Sequence, residues 1–105
     1  MADRREQLSL VLQGLKDELK RTGMWRDSRP PAVAFESTLP FCTDTLHFEE
    51  WLQFVLIERL EEMLLVHAPL PVMSGITPMA EFVWAQQEVD AIIYDLLRDI
   101  DELLS

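Results

Sequence analysis

The sequence predicts an all-α fold, a small up-and-down bundle of four helices joined by proline-rich loops. Apolar residues recur at steps of three and four in several segments, which is the period of an amphipathic helix. No segment alternates apolar and polar residues over a convincing length, as a half-buried strand would. The chain has 105 residues, the size of one domain, so we expect residues 1–105 to fold as a single unit.

The first helix is predicted over residues 3–21. Its apolar stripe consists of Leu8, Leu12, Leu15 and Leu19. Gly23 is expected to end this helix, because glycine adopts the left-handed backbone of a helix stop without strain. Met24 and Trp25 follow directly and are expected to fold back as an apolar anchor.

A long loop is predicted over residues 27–43, which contain three prolines and no helical period. Its apolar side chains are Val33, Phe35, Leu39 and Phe41, and they favour a loop that packs onto the bundle. The second helix is predicted over residues 46–67, with Asp44, Thr45 or His47 as its cap.

The second helix carries apolar residues nearly all round. One face holds Phe48, Leu52, Val55, Leu56, Met63 and Val66. Phe54, Ile57 and Leu65 fall on the opposite side, so we expect the long loop or a second subunit to cover them. Trp51 flanks the first face and is interpreted as core.

The third helix is predicted over residues 78–86, with Thr77 as its cap and Pro78 in its first turn. The fourth is predicted over residues 88–104. Because no glycine or proline separates the two, one bent helix over 78–104 is the alternative.

Charge is distributed unevenly along the chain. The formal net charge is −10, and residues 1–29 contribute +2 (seven basic and five acidic residues), whereas residues 30–105 contribute −12 (two basic and fourteen acidic). An acidic surface repels phosphate backbones, so direct nucleic-acid binding is not expected.

No stretch is long and apolar enough to cross a membrane. A lone Cys42 beside five methionines fits the reducing cytoplasm.

The sequence lacks a recognisable catalytic inventory. His47 and His67 are predicted on one helix, about 30 Å apart, and therefore cannot share a metal ion. One cysteine excludes a paired-cysteine metal site, and three glycines provide no phosphate-binding loop. We therefore expect no enzyme activity, no metal and no cofactor.

Arg59 is the strongest candidate for a binding residue. A regular helix would place it on the apolar face, near Phe48, Leu52 and Met63. Its head then either pairs with Glu62, one turn on, or forks onto a carboxylate of a ligand or partner. Gln53 and Trp51 would line the same pocket. Trp25, at the edge of the proline-rich loop, is interpreted as core or as an exposed binding anchor.

The run PF-x-x-DTL-x-F-x-x-WLQF-x-x-I-x-R-L from Pro40 to Leu60 has an unusual pattern. Together with PLP at 69–71 and I-x-PMAE at 76–81, it resembles the YqcC-like family of small proteobacterial proteins without an assigned activity. Among the candidate residues, the matching positions are Trp25, Asp44, Thr45, Trp51, Gln53 and Arg59. The resemblance implies an all-helical bundle, often encoded near a tRNA pseudouridine synthase.

The leading functional hypothesis is a non-enzymatic interaction module. It would bind a protein partner or a second subunit through the second helix and the proline-rich loops. The first alternative is a binder of a small anionic ligand, or a minor enzyme, that uses Arg59, Gln53 and Thr45. The second alternative is a protein-level accessory to a tRNA-modification enzyme.

Overall fold

Four helices make up the computed structural model, which describes residues 3–73 and 75–105. They are α1 (Arg4–Arg21), α2 (three consecutive segments, Phe48–Trp51, Leu52–Ile57 and Glu58–Leu65), α3 (Ile76–Val83) and α4 (Ala91–Leu103). The backbone stays in the right-handed helical region across both junctions of α2. The described residues contain no strand, and the prediction of an all-α fold is confirmed.

Helix α1 begins and ends close to the predicted residues. The Asp3 carboxylate accepts a hydrogen bond from the Glu6 N–H at 2.8 Å and caps the first turn. Gly23 has a φ of 78°, and the Leu19 carbonyl accepts the Met24 N–H at 2.9 Å, which closes the last turn. The four leucines of the stripe are each at most 1% exposed, so the predicted buried face is confirmed.

Helix α2 changes its period in the middle, where Leu52–Ile57 form a π-helix. A π-helix turn bonds residue i to i+5, so it contains one more residue than an α-helical turn. The buried stripe therefore continues through Leu56 and Leu60, which are 2% and 1% exposed. Arg59 lies beside this stripe and is exposed. The prediction that Arg59 lies on the apolar face is wrong, because it assumed a regular α-helix.

The long loop runs from the end of α1 to the start of α2, and we call residues 25–47 the strap. It contains two short 3-10 turns, Ala32–Phe35 and Pro40–Cys42. Phe35 and Phe41 are partly buried against the core, as predicted. Val33 and Leu39 are 67% and 49% exposed, so the expectation that they also pack on the bundle is wrong.

His47, one of the three predicted candidates, caps α2. Its backbone N–H donates to the Glu50 carboxylate at 2.9 Å. The helix spans residues 48–65 rather than 46–67.

Helix α3 starts differently from the prediction. Gly75, with a φ of 86°, occupies the cap position, and Thr77 lies inside the helix. The Asp101 carboxylate of α4 accepts the N–H groups of Ile76 and Thr77 at 3.0 and 2.8 Å, and so satisfies the orphan donors of the first turn. The prediction of Thr77 as the cap is wrong, because a side chain distant in sequence supplies that function.

Residues 84–90 separate α3 from α4, so the alternative of one bent helix is wrong. Helix α4 starts at Ala91 instead of 88, and Asp90 caps it by accepting the Ile92 N–H at 2.9 Å. Asp90 also forms an ion pair with Arg21 at 2.6 Å. The Ile92 N–H and the Arg21 guanidinium both favour the carboxylate, and they lower the pKa of Asp90.

Helices α1 and α4 run antiparallel. The Arg4 guanidinium donates to the Leu103 carbonyl at the end of α4, whereas Arg21 reaches Asp90 at its start. Arg5 donates to the carbonyls of Met63 and Ala68 at 2.9 and 2.8 Å, at the end of α2. Two neighbouring arginines of α1 thus bind backbone carbonyls at or just after the C-terminal ends of two other helices.

Ion pairs join the basic first segment to the acidic remainder. Four of the pairs formed by the described residues connect these two parts. They are Lys16–Glu61, Arg21–Asp90, Arg26–Glu49 and Arg29–Glu58. The uneven charge of the chain is therefore consistent with orientation of α1 and the strap against the acidic helices.

Candidate functional site

Gln53 attaches the strap to α2. Its side chain is 5% exposed, and both ends of its amide contact the backbone of Arg26. The Oε1 atom accepts the Arg26 N–H at 2.9 Å, and the Nε2 atom donates to the Arg26 carbonyl at 3.0 Å. Arg26 directly follows Trp25 in the chain, so the Gln53 amide fixes the point where the strap leaves α1. Its polar groups are used within the fold.

Arg29 holds the next part of the strap, and it is not among the candidate residues predicted from the sequence. Its guanidinium lies 4.9 Å from the ring centroid of Phe35 and 5.5 Å from that of Phe54. The same group donates to both carboxylate oxygens of Glu58 at 2.9 and 2.8 Å. The sequence shows an arginine next to Pro30 and a helix rich in aromatic residues. It does not show that this arginine contacts Phe35, Phe54 and Glu58.

The strap covers part of the second apolar face of α2. Ile57 is 1% exposed and Phe54 is partly buried beneath Arg29. The long loop thus covers Phe54 through Arg29, and Ile57 is buried within the chain itself. Leu65 is 79% exposed, so the strap leaves the end of this face open.

Thr45 and Asp44 hold the far end of the strap. The Thr45 hydroxyl donates to the Ala34 carbonyl at 2.6 Å, and Asp44 accepts a hydrogen bond from the Ser37 hydroxyl. Both side chains are exposed, yet each is engaged by a neighbouring part of the strap.

Trp51 is 6% exposed and belongs to an aromatic cluster in the core. Its ring stacks on Phe48 at a centroid distance of 5.7 Å and meets the Phe41 ring edge-on at 4.7 Å. Trp25 is partly buried rather than exposed, and Lys20 Nζ lies 4.9 Å from its ring centroid. Both tryptophans therefore have packing roles.

Arg59 is separated from the other candidates. It is exposed, whereas Gln53 is buried against Arg26, so the two side chains do not form a common pocket. Within the described residues, Arg59 forms no ion pair, and the expected pairing with Glu62 is absent. Two exposed apolar residues, Leu65 and Val66, lie at the end of α2 and are 79% and 63% exposed.

A cleft of about 660 Å³ lies between the strap and the start of α2. Arg26, Arg29, Thr45 and His47 contribute to its lining. Both arginines already face acids of α2, at 3.2 Å for Arg26 with Glu49 and 2.8 Å for Arg29 with Glu58. The cleft thus offers little positive charge that is not already neutralised.

A second groove, of about 570 Å³, lies between α1 and α4. Its lining combines apolar and acidic side chains: Gln7, Leu10, Val11, Asp99, Glu102 and Leu103. The apolar period of α1 predicts its buried leucine stripe but gives no signal for this surface.

In residues 3–73 and 75–105, no group of three or more histidine, cysteine, aspartate or glutamate side chains is placed to hold a metal ion. Among the described helices, none has the length and apolar character needed to span a bilayer.

Known proteins resemble this chain over nearly its full length. The YqcC protein of Escherichia coli, which is uncharacterised, is 35% identical over 101 residues, covering 95% of this chain and 93% of that protein. An uncharacterised protein of Haemophilus influenzae is 36% identical over 77 residues, or 73% of each chain. The solution NMR structure of E. coli YqcC superposes with a TM-score of 0.82 at 33% identity, covering 98% of this chain and 89% of the other.

A third relative is much longer than this chain. The tRNA pseudouridine synthase C of Pectobacterium carotovorum is 35% identical over 68 residues, which are 65% of this chain and 18% of that protein. A family model described as "DUF446: tRNA pseudouridine synthase C" matches residues 7–103. The chain also has the sequence pattern described above from Pro40 to Leu60 and the helical fold of E. coli YqcC. It therefore belongs to this family, which we call the YqcC-like family.

Proposed function

We propose that this chain is a non-enzymatic interaction module that binds a tRNA pseudouridine synthase as an accessory protein. The Pectobacterium relative carries this proposal, since a segment similar to this chain lies within a protein named as that synthase. Modules in one chain are held at high effective concentration. We infer that, where the module and the synthase are separate chains, an interface on the module keeps it bound to the enzyme.

The length of the match supports an accessory role over a catalytic one. The similar segment is 18% of the synthase, so most of that protein lies outside the match. In this chain, polar candidates such as Gln53 and Thr45 are engaged in holding the strap. These contacts support a structural use of side chains that an active site would need free.

The charge of the chain supports contact with the enzyme rather than with its RNA. A net charge of −10 repels the phosphates of tRNA, whereas an RNA-modifying enzyme needs basic surface to hold them. The proposal also implies a cytoplasmic location, where tRNA is modified.

Isothermal titration calorimetry with the purified tRNA pseudouridine synthase C of the organism that encodes this chain tests the proposal. We expect saturable binding with a dissociation constant of about 1 µM or tighter, which corresponds to about −8 kcal/mol. A pseudouridine synthase of another family is the specificity control. Absence of binding at 100-fold higher concentration contradicts the proposal, as does pseudouridine formation in tRNA by this chain alone.

Self-association through α2 is a separate proposal for the same molecule. Leu65 and Val66 are exposed at the end of α2, beyond the part of the helix that the strap covers. A second copy would bury this apolar end. Light scattering after size-exclusion chromatography tests it: we expect a dimer that Leu65→Glu converts to a monomer, and a monomeric wild type contradicts it.

A further inference from the structure

The groove between α1 and α4 combines exposed apolar area with a concave shape. Leu10 is 70% exposed on α1, and it borders a groove of about 570 Å³ together with Val11 and Leu103. Isolated exposed leucines are common on protein surfaces, whereas a leucine on the wall of a groove offers area that a partner side chain can bury.

Two acidic side chains of α4, Asp99 and Glu102, line the same groove. Both are exposed, and in the part of the chain that the structure describes neither side chain forms an ion pair. The nearest cation along α4, Arg98, binds Asp95 at 2.7 Å instead.

Among the described residues, the basic side chains of α1 form no ion pair with the acids of the groove, although Arg4 donates to the carbonyl of Leu103, which borders it. Arg4 and Arg5 donate to backbone carbonyls at helix ends. Lys16 and Arg21 pair with acids outside the groove, and Lys20 lies over the Trp25 ring. The groove therefore keeps its negative charge although it borders the basic-leaning part of the chain.

From this geometry we infer that the α1–α4 groove is the docking surface for a cationic amphipathic helix of a partner protein. The inference rests on the proposed function, which assigns that helix to the pseudouridine synthase. An apolar face of the helix packs against Leu10, Val11 and Leu103. Lysine or arginine side chains at its edge pair with Asp99 and Glu102, as in other helix-in-groove complexes.

A second copy of this chain fits the groove poorly. A symmetric dimer across it would bring the Asp99 and Glu102 side chains of both copies to one interface. Like charges facing each other weaken association, and each copy carries a net charge of −10. The charge of the groove thus favours a basic partner over self-association.

Binding of the purified synthase to variants of the full chain tests the inference. The groove set is Leu10→Glu and the double variant Asp99→Lys/Glu102→Lys. The matched set on the other exposed surface is Leu65→Glu and Glu62→Lys, which change the same residue types on α2. All five altered positions are exposed, and circular dichroism and thermal unfolding verify that each variant folds.

We expect each groove variant to weaken the dissociation constant by about tenfold or more, and the α2 set to change it by less than about twofold. Raising the salt from 0.1 to 1 M shortens the screening length from about 10 to about 3 Å. This should weaken the wild type more than the charge-reversed double variant.

Three outcomes overturn the inference. If the wild type does not bind the synthase, the proposed function falls and this inference with it. If the wild type binds and the groove variants bind equally well, only the groove assignment falls. If the α2 set weakens binding more than the groove set, or if the groove variants abolish self-association instead, the surface has been misassigned.

Discussion

Replacing Gln53 by leucine tests whether one buried amide holds the strap on α2. The change keeps the approximate size of the side chain and removes both hydrogen bonds to the Arg26 backbone, at 2.9 and 3.0 Å. Each bond contributes about 1 kcal/mol net, and each backbone group left unpaired costs about 1–3 kcal/mol. Burial of leucine offsets part of this loss, and solvent reaches the partly buried Arg26. We therefore expect the free energy of unfolding to fall by about 2–3 kcal/mol.

Urea and thermal unfolding followed by circular dichroism measure this change. At about 4–8 °C per kcal/mol for a small domain, Tm should fall by about 8–24 °C. Gln86→Leu is the matched control, because Gln86 is exposed between α3 and α4, and it should shift stability by less than about 0.5 kcal/mol. A Gln53→Leu variant as stable as the wild type would refute the role assigned to the amide.

Gln53→Glu refines the same test through pH. A carboxylate still accepts the Arg26 N–H but sets its second oxygen against the Arg26 carbonyl, whereas the protonated acid can donate there. Folding should therefore raise the pKa of this glutamate above its unfolded value. Stability relative to the wild type should be recovered as the pH falls through that raised pKa and lost as the pH rises.

The remaining predictions concern helix ends, glycines and one tyrosine. Asp101→Ala should destabilise the protein by about 1–2 kcal/mol in urea unfolding, because the first turn of α3 loses its acceptor. Thr77→Val should be neutral or stabilising by up to about 1 kcal/mol, because the Thr77 hydroxyl is buried without a hydrogen-bond partner in the described residues; a loss would support a capping role instead. Gly23→Ala should cost about 1 kcal/mol, since its φ is 78°, whereas Gly14→Ala should stabilise by about 0.5–1 kcal/mol, because the added methyl meets Leu96 at an ordinary 3.4 Å; equal effects would contradict the assignment. Burial raises the pKa of Tyr94 above 10.0, so its contribution to stability is present below pH 10 and lost as the pH rises through the folded pKa; Tyr94→Phe should remove that alkaline loss in a pH series of unfolding curves.

The helices that could be predicted from sequence are those with a regular period. The stripe of α1 repeats at three and four residues, and its stop is a glycine with positive φ, so both ends and the buried face follow from local chemistry. Helix α2 is different, because the segment Leu52–Ile57 is apolar on nearly every side and fits an α-helix or a π-helix equally well. Only packing selects the wider turn, and this choice moves Arg59 out of the stripe.

The contacts of the candidate site depend on residues far apart in the chain. Gln53 and Arg26 are 27 positions apart, and Asp101 caps a helix that begins 25 residues earlier. No local pattern specifies such pairs. Thr77 and Pro78 form a typical helix start, yet the helix begins before them, since the tertiary acceptor outweighs the local preference.

The two arginines at the start of α1 also constrain the order of folding. Arg5 donates to carbonyls 58 and 63 positions later, and Arg4 to one that is 99 positions later. During synthesis, Arg5 therefore has no carbonyl to bind until the end of α2 has emerged from the ribosome. The carbonyl that Arg4 binds appears only with Leu103. Closing loops of 58 to 99 residues costs more entropy than forming local turns, so the contacts of Arg4 and Arg5 are expected to form late in folding.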